Sequence, residues 1–163
     1  MFNFFKKKET DAGKIFAPLD GTVMDITEVK DELFSQKIHG DGVAIEPTDG
    51  KIYAPFDGTV STFPDSKHAF GLESADGLEL LIHFGMDTVR LEGEGFSPKV
   101  AEGDTFKKGD LLMECDVEFI KSKGYPVSTP VVITNMDDFD FKIEQTSGEV
   151  KHAETVVISY KKK

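Results

Sequence analysis

Apolar and polar residues alternate in short runs along this chain, and each run is closed by a turn signal. The clearest run is Leu78-Glu79-Leu80-Leu81-Ile82-His83-Phe84. Leu78, Leu80, Ile82 and Phe84 fall on one face and Leu81 and His83 on the other, the period-two pattern of a strand. Val43 to Glu46, Val131 to Thr134 and Thr155 to Tyr160 read the same way. Between such runs stand Gly40-Asp41-Gly42, Asp49-Gly50, Asp76-Gly77, Glu102-Gly103-Asp104, Lys108-Gly109-Asp110 and Ser147-Gly148, the residues that turns require. One segment occurs twice: Phe16-Ala17-Pro18-Leu19-Asp20-Gly21-Thr22-Val23 returns thirty-seven residues later as Tyr53-Ala54-Pro55-Phe56-Asp57-Gly58-Thr59-Val60. In each copy Pro ends a strand, Asp-Gly makes a tight turn at positive φ, and Thr-Val opens the next strand. The pattern predicts an all-β fold, an antiparallel β-sandwich or barrel with a duplicated hairpin motif. Helix is confined to short turns over Val117 to Lys123, stopped by Gly124 and Pro126, and over Asn135 to Phe139.

Length and charge narrow the picture. The 163 residues suit a single domain over residues 14–163, with residues 1–13 a polar, aperiodic and flexible tail. A net charge of −11 opposes nucleic acid and favours a basic partner. No stretch approaches the roughly 20 apolar residues that span a bilayer. The start also lacks a signal-peptide core and cleavage site, so the cytoplasm is expected. Phe2, Phe4 and Phe5 beside Lys6 to Lys8 offer at most weak contact with an anionic membrane surface, and Lys161 to Lys163 read as a solubilising end. Cys115, the lone cysteine, sits among Leu111, Leu112, Met113, Phe119 and Ile120 and reads as structural. His152, in a polar turn, reads as structural or solvated.

Candidate chemistry lies in His68 to Gly85. If Asp76-Gly77 is a two-residue turn, Ala75 pairs with Leu78, Leu72 with Leu81, Phe70 with His83, and His68 with Gly85. His68 and His83 then share the face away from the core as diagonal neighbours, about 7 to 8 Å apart at the backbone. The pairing depends on register: a one-residue slip would separate them and a two-residue slip would not. A neutral imidazole is nucleophilic near neutral pH and can accept and release a group, while a second ring can donate a hydrogen bond to that group. The same pair could also be a satisfied surface pair without chemistry, or two ligands of a zinc hydrolase with Asp87 as the third. Peptidases of similar architecture use His-x-His, and residue 85 is Gly. A biotinyl or lipoyl carrier is suggested by Glu102 to Leu112, but no modifiable lysine tripeptide sits on a turn.

Gly77 to Val89 (Gly-Leu-Glu-Leu-Leu-Ile-His-Phe-Gly-Met-Asp-Thr-Val), continuing through Leu91-Glu92-Gly93-Glu94-Gly95-Phe96, resembles the phosphorylation-site signature of one protein family. That family is the glucose-class enzyme IIA proteins of the bacterial phosphoenolpyruvate-dependent sugar phosphotransferase system. Lys67-His68-Ala69-Phe70, Gly40 to Ile45, both Ala-Pro-x-Asp-Gly-Thr repeats and Thr129 to Asp137 fit the same family, so the likeness runs from about residue 13 to the end. It implies a phosphotransferase component that carries a phosphoryl group on His83 Nε2. The group would come from the histidine phosphocarrier protein and pass to a cysteine of an enzyme IIB domain, for sugar uptake. His68 would contact the phosphoryl oxygens and serve onward transfer, with Ser66 as a supporting hydroxyl.

The resemblance also implies partner contacts through Asp31, Asp87, Leu33, Phe34, Ile38, Leu81 and Val89. It implies no cofactor and no required metal, zinc on His68 and His83 being adventitious. Neither ATP use nor an obligatory Mg²⁺ is expected, since no Walker loop is present. A monomer suits a carrier that meets two partners in turn, and phosphorylation state could also govern regulatory targets. The sugar is not readable, because specificity resides in a membrane IIC domain outside this chain. Pro64 and His39 stand where relatives carry an aromatic and an aliphatic residue.

Overall fold

The computed structural model describes residues 11–163 of the chain. Its strands are β1 Lys14–Phe16, β2 Gly21–Asp25, β3 Asp41–Pro47, β4 Lys51–Tyr53, β5 Gly58–Thr62, β6 Ala69–Ser74 and β7 Glu79–His83. They continue as β8 Phe96–Pro98, β9 Thr105–Phe106, β10 Leu111–Cys115, β11 Thr129–Ile133, β12 Phe139–Ile143, β13 Glu149–Val150 and β14 Val156–Lys162. Every pairing is antiparallel, so the all-β expectation holds. The helix α2, Val117–Ser122, lies where the pattern places it, capped by the Asp116 carboxylate on the Phe119 N–H. Asn135 to Phe139 contains a 3₁₀ turn, Met136–Asp138. Three further turns escaped the sequence reading: 3₁₀ turns at Ile26–Glu28 and Thr88–Leu91 and the short helix α1, Glu32–Ser35. Each is a single turn, too short for a 3.6-residue period to register.

The repeat seen in the sequence extends to the whole topology. One sheet runs β13-β2-β3-β11-β7-β6-β5-β9, and two smaller sheets run β1-β14-β12 and β4-β10-β8. The eight-strand order is symmetric about β11 and β7, so β4 to β10 repeat the arrangement of β1 to β3 with β11 to β14. The two copies clasp each other reciprocally: the Phe16 N–H donates to the Pro55 carbonyl at 3.0 Å and the Tyr53 N–H to the Pro18 carbonyl at 2.7 Å. The Asp of each copy acts alike too. Asp20 accepts the His152 N–H and Asp57 the Lys108 N–H, both at 2.8 Å.

The glycine of each copy differs from expectation. Gly21 and Gly58 open β2 and β5 without positive φ. What demands glycine is close approach, because a Cβ would lie 2.1 Å from the Glu46 carbonyl oxygen or 2.2 Å from that of Glu73.

The large sheet buries both faces. Val43, Ile45, Leu80, Ile82, Val131 and Ile133 face the main core, whereas Ala44 and Val132 face a second cluster with Ile26, Val29, Phe34 and Met86. Residues 26–34 thus form a cover over the outer face, pinned by Phe34. Cys115 is buried, as expected of a structural thiol, and burial pushes its pKa far up. Residues 11–13 belong to the folded body rather than to a tail: Asp11 pairs with Lys108 at 2.9 Å and the Gly13 carbonyl accepts the Tyr160 N–H at 2.8 Å. The rest of the expected tail, with Phe2, Phe4, Phe5 and Lys6 to Lys8, lies outside the described residues. Among the described residues no helix is long and apolar enough to cross a membrane.

Ile45 is fully buried in a central strand. Ile45→Ala is expected to lower unfolding stability by about 3 kcal/mol through lost burial and a cavity, read as a shift of the urea midpoint at unchanged slope.

Candidate functional site

The β6–β7 hairpin is one residue out from the expected register. The Ser74 N–H donates to the Leu78 carbonyl at 2.9 Å and the Gly77 N–H to the Ser74 carbonyl at 3.0 Å, so the loop is Ala75-Asp76-Gly77. Only Gly77 has positive φ, +89°. The two-residue turn would have required it at Asp76 as well. Asp76 is instead held by the Ser74 hydroxyl and by the Tyr160 hydroxyl at 2.9 Å. The observed pairs are Ala69 with His83, Phe70 with Ile82 and Gly71 with Leu81.

That slip should have separated the histidines, yet their ring centroids are 4.7 Å apart with planes at 83°. The reason is that His68 is not a strand residue. It sits at a bend just before β6, after Lys67 at φ +63°, so strand alternation does not govern its side chain. The ladder resumes beyond the bend, where the Phe84 N–H donates to the His68 carbonyl at 2.8 Å. The predicted pair stands, for a different geometric reason.

Each ring has a defined environment. His83 Nδ1 lies 2.8 Å from the Gly85 carbonyl oxygen. A carbonyl only accepts, so the neutral ring carries its proton on Nδ1 and keeps the Nε2 lone pair free. Phe34 meets the His83 ring edge-on with centroids 5.0 Å apart, and its ring also lies 5.0 Å from that of His39. Burial lowers the His83 pKa, and it outweighs the Gly85 carbonyl and the Asp31 carboxylate, which favour the protonated ring.

His68 is 8% exposed, and its buried Nδ1 has no hydrogen-bond partner among the described residues. Burial, then the neighbouring His83, lower its pKa to about 4; the Ser66 backbone opposes this weakly without completing a hydrogen bond to Nδ1. A buried N–H without an acceptor is the costlier arrangement, so the neutral ring keeps its proton on Nε2. The two rings therefore hold opposite tautomers, one free lone pair beside one free N–H.

The loop after His83 sets this up. Gly85 has φ +80°, and a Cβ there would lie 2.7 Å from both the Pro126 carbonyl oxygen and Thr88 Cγ2. The Met86 N–H donates to that Pro126 carbonyl at 3.1 Å. Gly85 and Thr88 stand in the quoted signature, but the sequence carries no sign that one supplies a carbonyl and the other braces the loop.

The other predicted residues divide by exposure. Leu33, Ile38 and Val89 are 47%, 62% and 51% exposed, the large apolar side chains most open to solvent among the described residues. Leu81 is half-buried on the His83 face, against the cover cluster. Phe34 corrects an expectation: at 2% exposed it cannot serve as part of an exposed apron and instead forms the floor under His83. Asp31 is half-buried and caps α1, accepting the Leu33 N–H at 2.9 Å. Asp87 is exposed at φ +59° with no capping bond from its side chain. Ser66 is half-buried two residues before His68.

His152, read as structural, stacks on Tyr53 at 3.7 Å and reaches Asp20 through Nδ1 at 2.7 Å. Burial raises the Asp20 pKa, but the His152 backbone N–H and ring outweigh it and hold it low. Among the described residues no three His, Cys, Asp or Glu side chains group at metal-binding spacing. A cleft of about 450 Å³ between Phe16, Phe56, Lys108 and Tyr160 includes neither histidine.

Because the folded state holds His68 neutral down to about pH 4, the unfolded chain binds more protons between that value and about 6.5. Stability is complete above about pH 6.5, falls as the pH drops towards 4, and is then unaffected by this group. Denaturant titrations at pH 7 and pH 5 are expected to show His68→Gln losing less on acidification than the native chain, by on the order of 1 kcal/mol.

Residues 13–139 match the family model of the phosphoenolpyruvate-dependent sugar phosphotransferase system, EIIA 1. The glucose-specific EIIA component of Buchnera aphidicola subsp. Acyrthosiphon pisum is 45% identical over 157 residues, which cover 96% of this chain and 95% of that protein. The glucose-specific EIICBA component of Staphylococcus carnosus is 47% identical over 147 residues, 90% of this chain but 22% of that longer protein. The solved glucose permease IIA from Mycoplasma capricolum superimposes with a TM-score of 0.83 at 37% identity, over 89% of this chain and 94% of that one. With a family model matched over residues 13–139 and a relative 45% identical along nearly the whole of both chains, the chain belongs to the EIIA 1 family of the phosphoenolpyruvate-dependent sugar phosphotransferase system.

Proposed function

We propose that the chain is a phosphoryl carrier in which His83 Nε2 takes the group from the histidine phosphocarrier protein and yields it to a cysteine of an enzyme IIB domain. The observation that carries this reading is the hydrogen bond from His83 Nδ1 to the Gly85 carbonyl, which fixes the tautomer with a free lone pair on Nε2. In the first transfer the donor's P–N bond breaks as a P–N bond to Nε2 forms. In the second that bond breaks as a P–S bond to the cysteine forms. Phosphoryl transfer asks of the protein mainly in-line positioning and stabilisation of charge on the equatorial oxygens. His68, with its N–H on Nε2, supplies a donor for those oxygens, and Ser66 adds a hydroxyl.

The surroundings suit delivery by proteins. Leu33, Ile38 and Val89 give an incoming surface apolar area to bury, and the net charge of −11 draws a basic partner and speeds encounter. Asp87 stands exposed at this rim, and Asp31 lies close enough to act on His83. The Staphylococcus carnosus relative is named as an EIICBA component, which supports a IIB domain as the next partner. The phosphoryl group would replace a neutral ring with a dianion on this face, so the two forms could be told apart by regulatory targets.

Incubation with phosphoenolpyruvate, enzyme I and the phosphocarrier protein is expected to add one acid-labile phosphoryl group to the native chain and to His68→Gln, and none to His83→Gln, by intact mass. His68→Gln is then expected to retain its group when the IIB domain is added. Equal labelling of His83→Gln would overturn the assignment. Val89→Asp is expected to raise the KM for the phosphocarrier protein about tenfold with kcat little changed, the signature of a lost docking contact.

A further inference from the structure

One buried polar group near the site is absorbed by neither the fold nor the transfer chemistry. Thr88 is fully buried, four residues after Phe84, and its hydroxyl donates to the Phe84 carbonyl at 2.6 Å. Phe84 lies between the two histidines in the bonding pattern. Its N–H donates to the His68 carbonyl, and its carbonyl belongs to the peptide that leads into Gly85. The Gly85 carbonyl in turn accepts from His83 Nδ1. The chain of contacts therefore runs from Thr88 through the peptide of residues 84 and 85 to the ring of His83.

Beyond that peptide, glycine leaves the backbone free to turn. Gly85 lies in the left-handed region at φ +80° and has no side chain to wedge it. The space where a Cβ would stand is taken by the Pro126 carbonyl oxygen and the Thr88 methyl, each 2.7 Å from that position. Thr88 thus holds the loop twice, through its hydroxyl on the preceding carbonyl and through its methyl against the glycine. The Gly85 carbonyl belongs to the following peptide, whose Met86 N–H donates to the Pro126 carbonyl; rotation of the 84–85 peptide would turn the Gly85 α-carbon between them and swing that carbonyl away from His83 Nδ1. A Gly85 carbonyl turned away would leave the His83 proton free to sit on either nitrogen, and the Nε2–H form is not nucleophilic at Nε2.

We infer that Thr88 is a positioning residue for phosphoryl transfer, its hydroxyl orienting the Phe84–Gly85 peptide so that the Gly85 carbonyl holds the His83 proton on Nδ1. The role in transfer rests on His83 being the acceptor, whereas the role in setting the tautomer does not.

The test compares Thr88→Val, which keeps the shape and removes the hydroxyl, with Thr88→Ser, which keeps the hydroxyl and removes the methyl. Imidazole ¹⁵N shifts at pH 7 report the His83 tautomer directly, and phosphoryl uptake from the phosphocarrier protein reports the consequence. Thr88→Val is expected to lose the strong preference for Nδ1–H and to take up phosphoryl about tenfold more slowly, with KM little changed. Thr88→Ser is expected to keep both. A residue that merely stabilises the fold would lower the melting temperature and leave the tautomer alone.

The inference is overturned if folded Thr88→Val keeps the native tautomer. It is equally overturned if Thr88→Ser, the milder change, loses it, and that arm serves should Thr88→Val not fold. Absence of uptake by the native chain would instead count against the carrier assignment, while the ¹⁵N result would still decide what Thr88 does.

Discussion

The hydrogen bond from His83 Nδ1 to the Gly85 carbonyl organises the site, because it decides which nitrogen of the ring keeps a free lone pair. Everything nearby serves to keep that carbonyl in place. Pro126 accepts the Met86 N–H, the Thr88 hydroxyl holds the Phe84 carbonyl, and the tight approach to Gly85 excludes any side chain. The Phe84 N–H then fastens the same segment to the backbone of His68. A short loop thereby sets the position of one ring and the tautomer of the other.

Burial completes the chemistry. Phe34 beneath His83 and the apolar cover around it lower the ring's affinity for protons, which favours the neutral ring near neutral pH. His68 is pushed further in the same direction, which preserves a neutral donor beside the acceptor. The cover that provides this burial also exposes Leu33 and Ile38 to solvent, so one short segment builds both the floor of the site and its rim.

The duplicated fold explains where the site could arise. Val60 pairs with Leu72 and Val23 with Ile45, while Leu72 pairs with Leu80 and Ile45 with Thr129. On that correspondence His83 occupies the place of Val132, and His68 that of Asp41, in the other copy. Both copies place equivalent positions on the central strands of the large sheet, but only one carries the imidazoles.

The sequence made the β architecture and the outward face of His83 legible, since Leu78, Leu80, Ile82 and Phe84 alternate without exception. It also displayed the duplication through Ala-Pro-x-Asp-Gly-Thr. What it hid were features that depend on backbone conformation. The Asp76-Gly77 pair suggested a two-residue turn, but the Ser74 hydroxyl and Tyr160 stabilise a three-residue one, and Tyr160 is distant in sequence. Lys67 at positive φ gave no warning of the bend that turns His68 towards His83, and Phe34 reads identically as exposed apron or buried floor until α1 is placed.

The central claim is that Nε2 of His83 is the free nitrogen, and ³¹P NMR of the chain after enzymatic phosphorylation tests it most directly. Phosphate on Nε2 and on Nδ1 of histidine resonate at distinguishable positions. A single Nε2-phosphohistidine signal, absent in His83→Gln, is the predicted result; an Nδ1-phosphohistidine signal, or one that survives His83→Gln, would contradict the account.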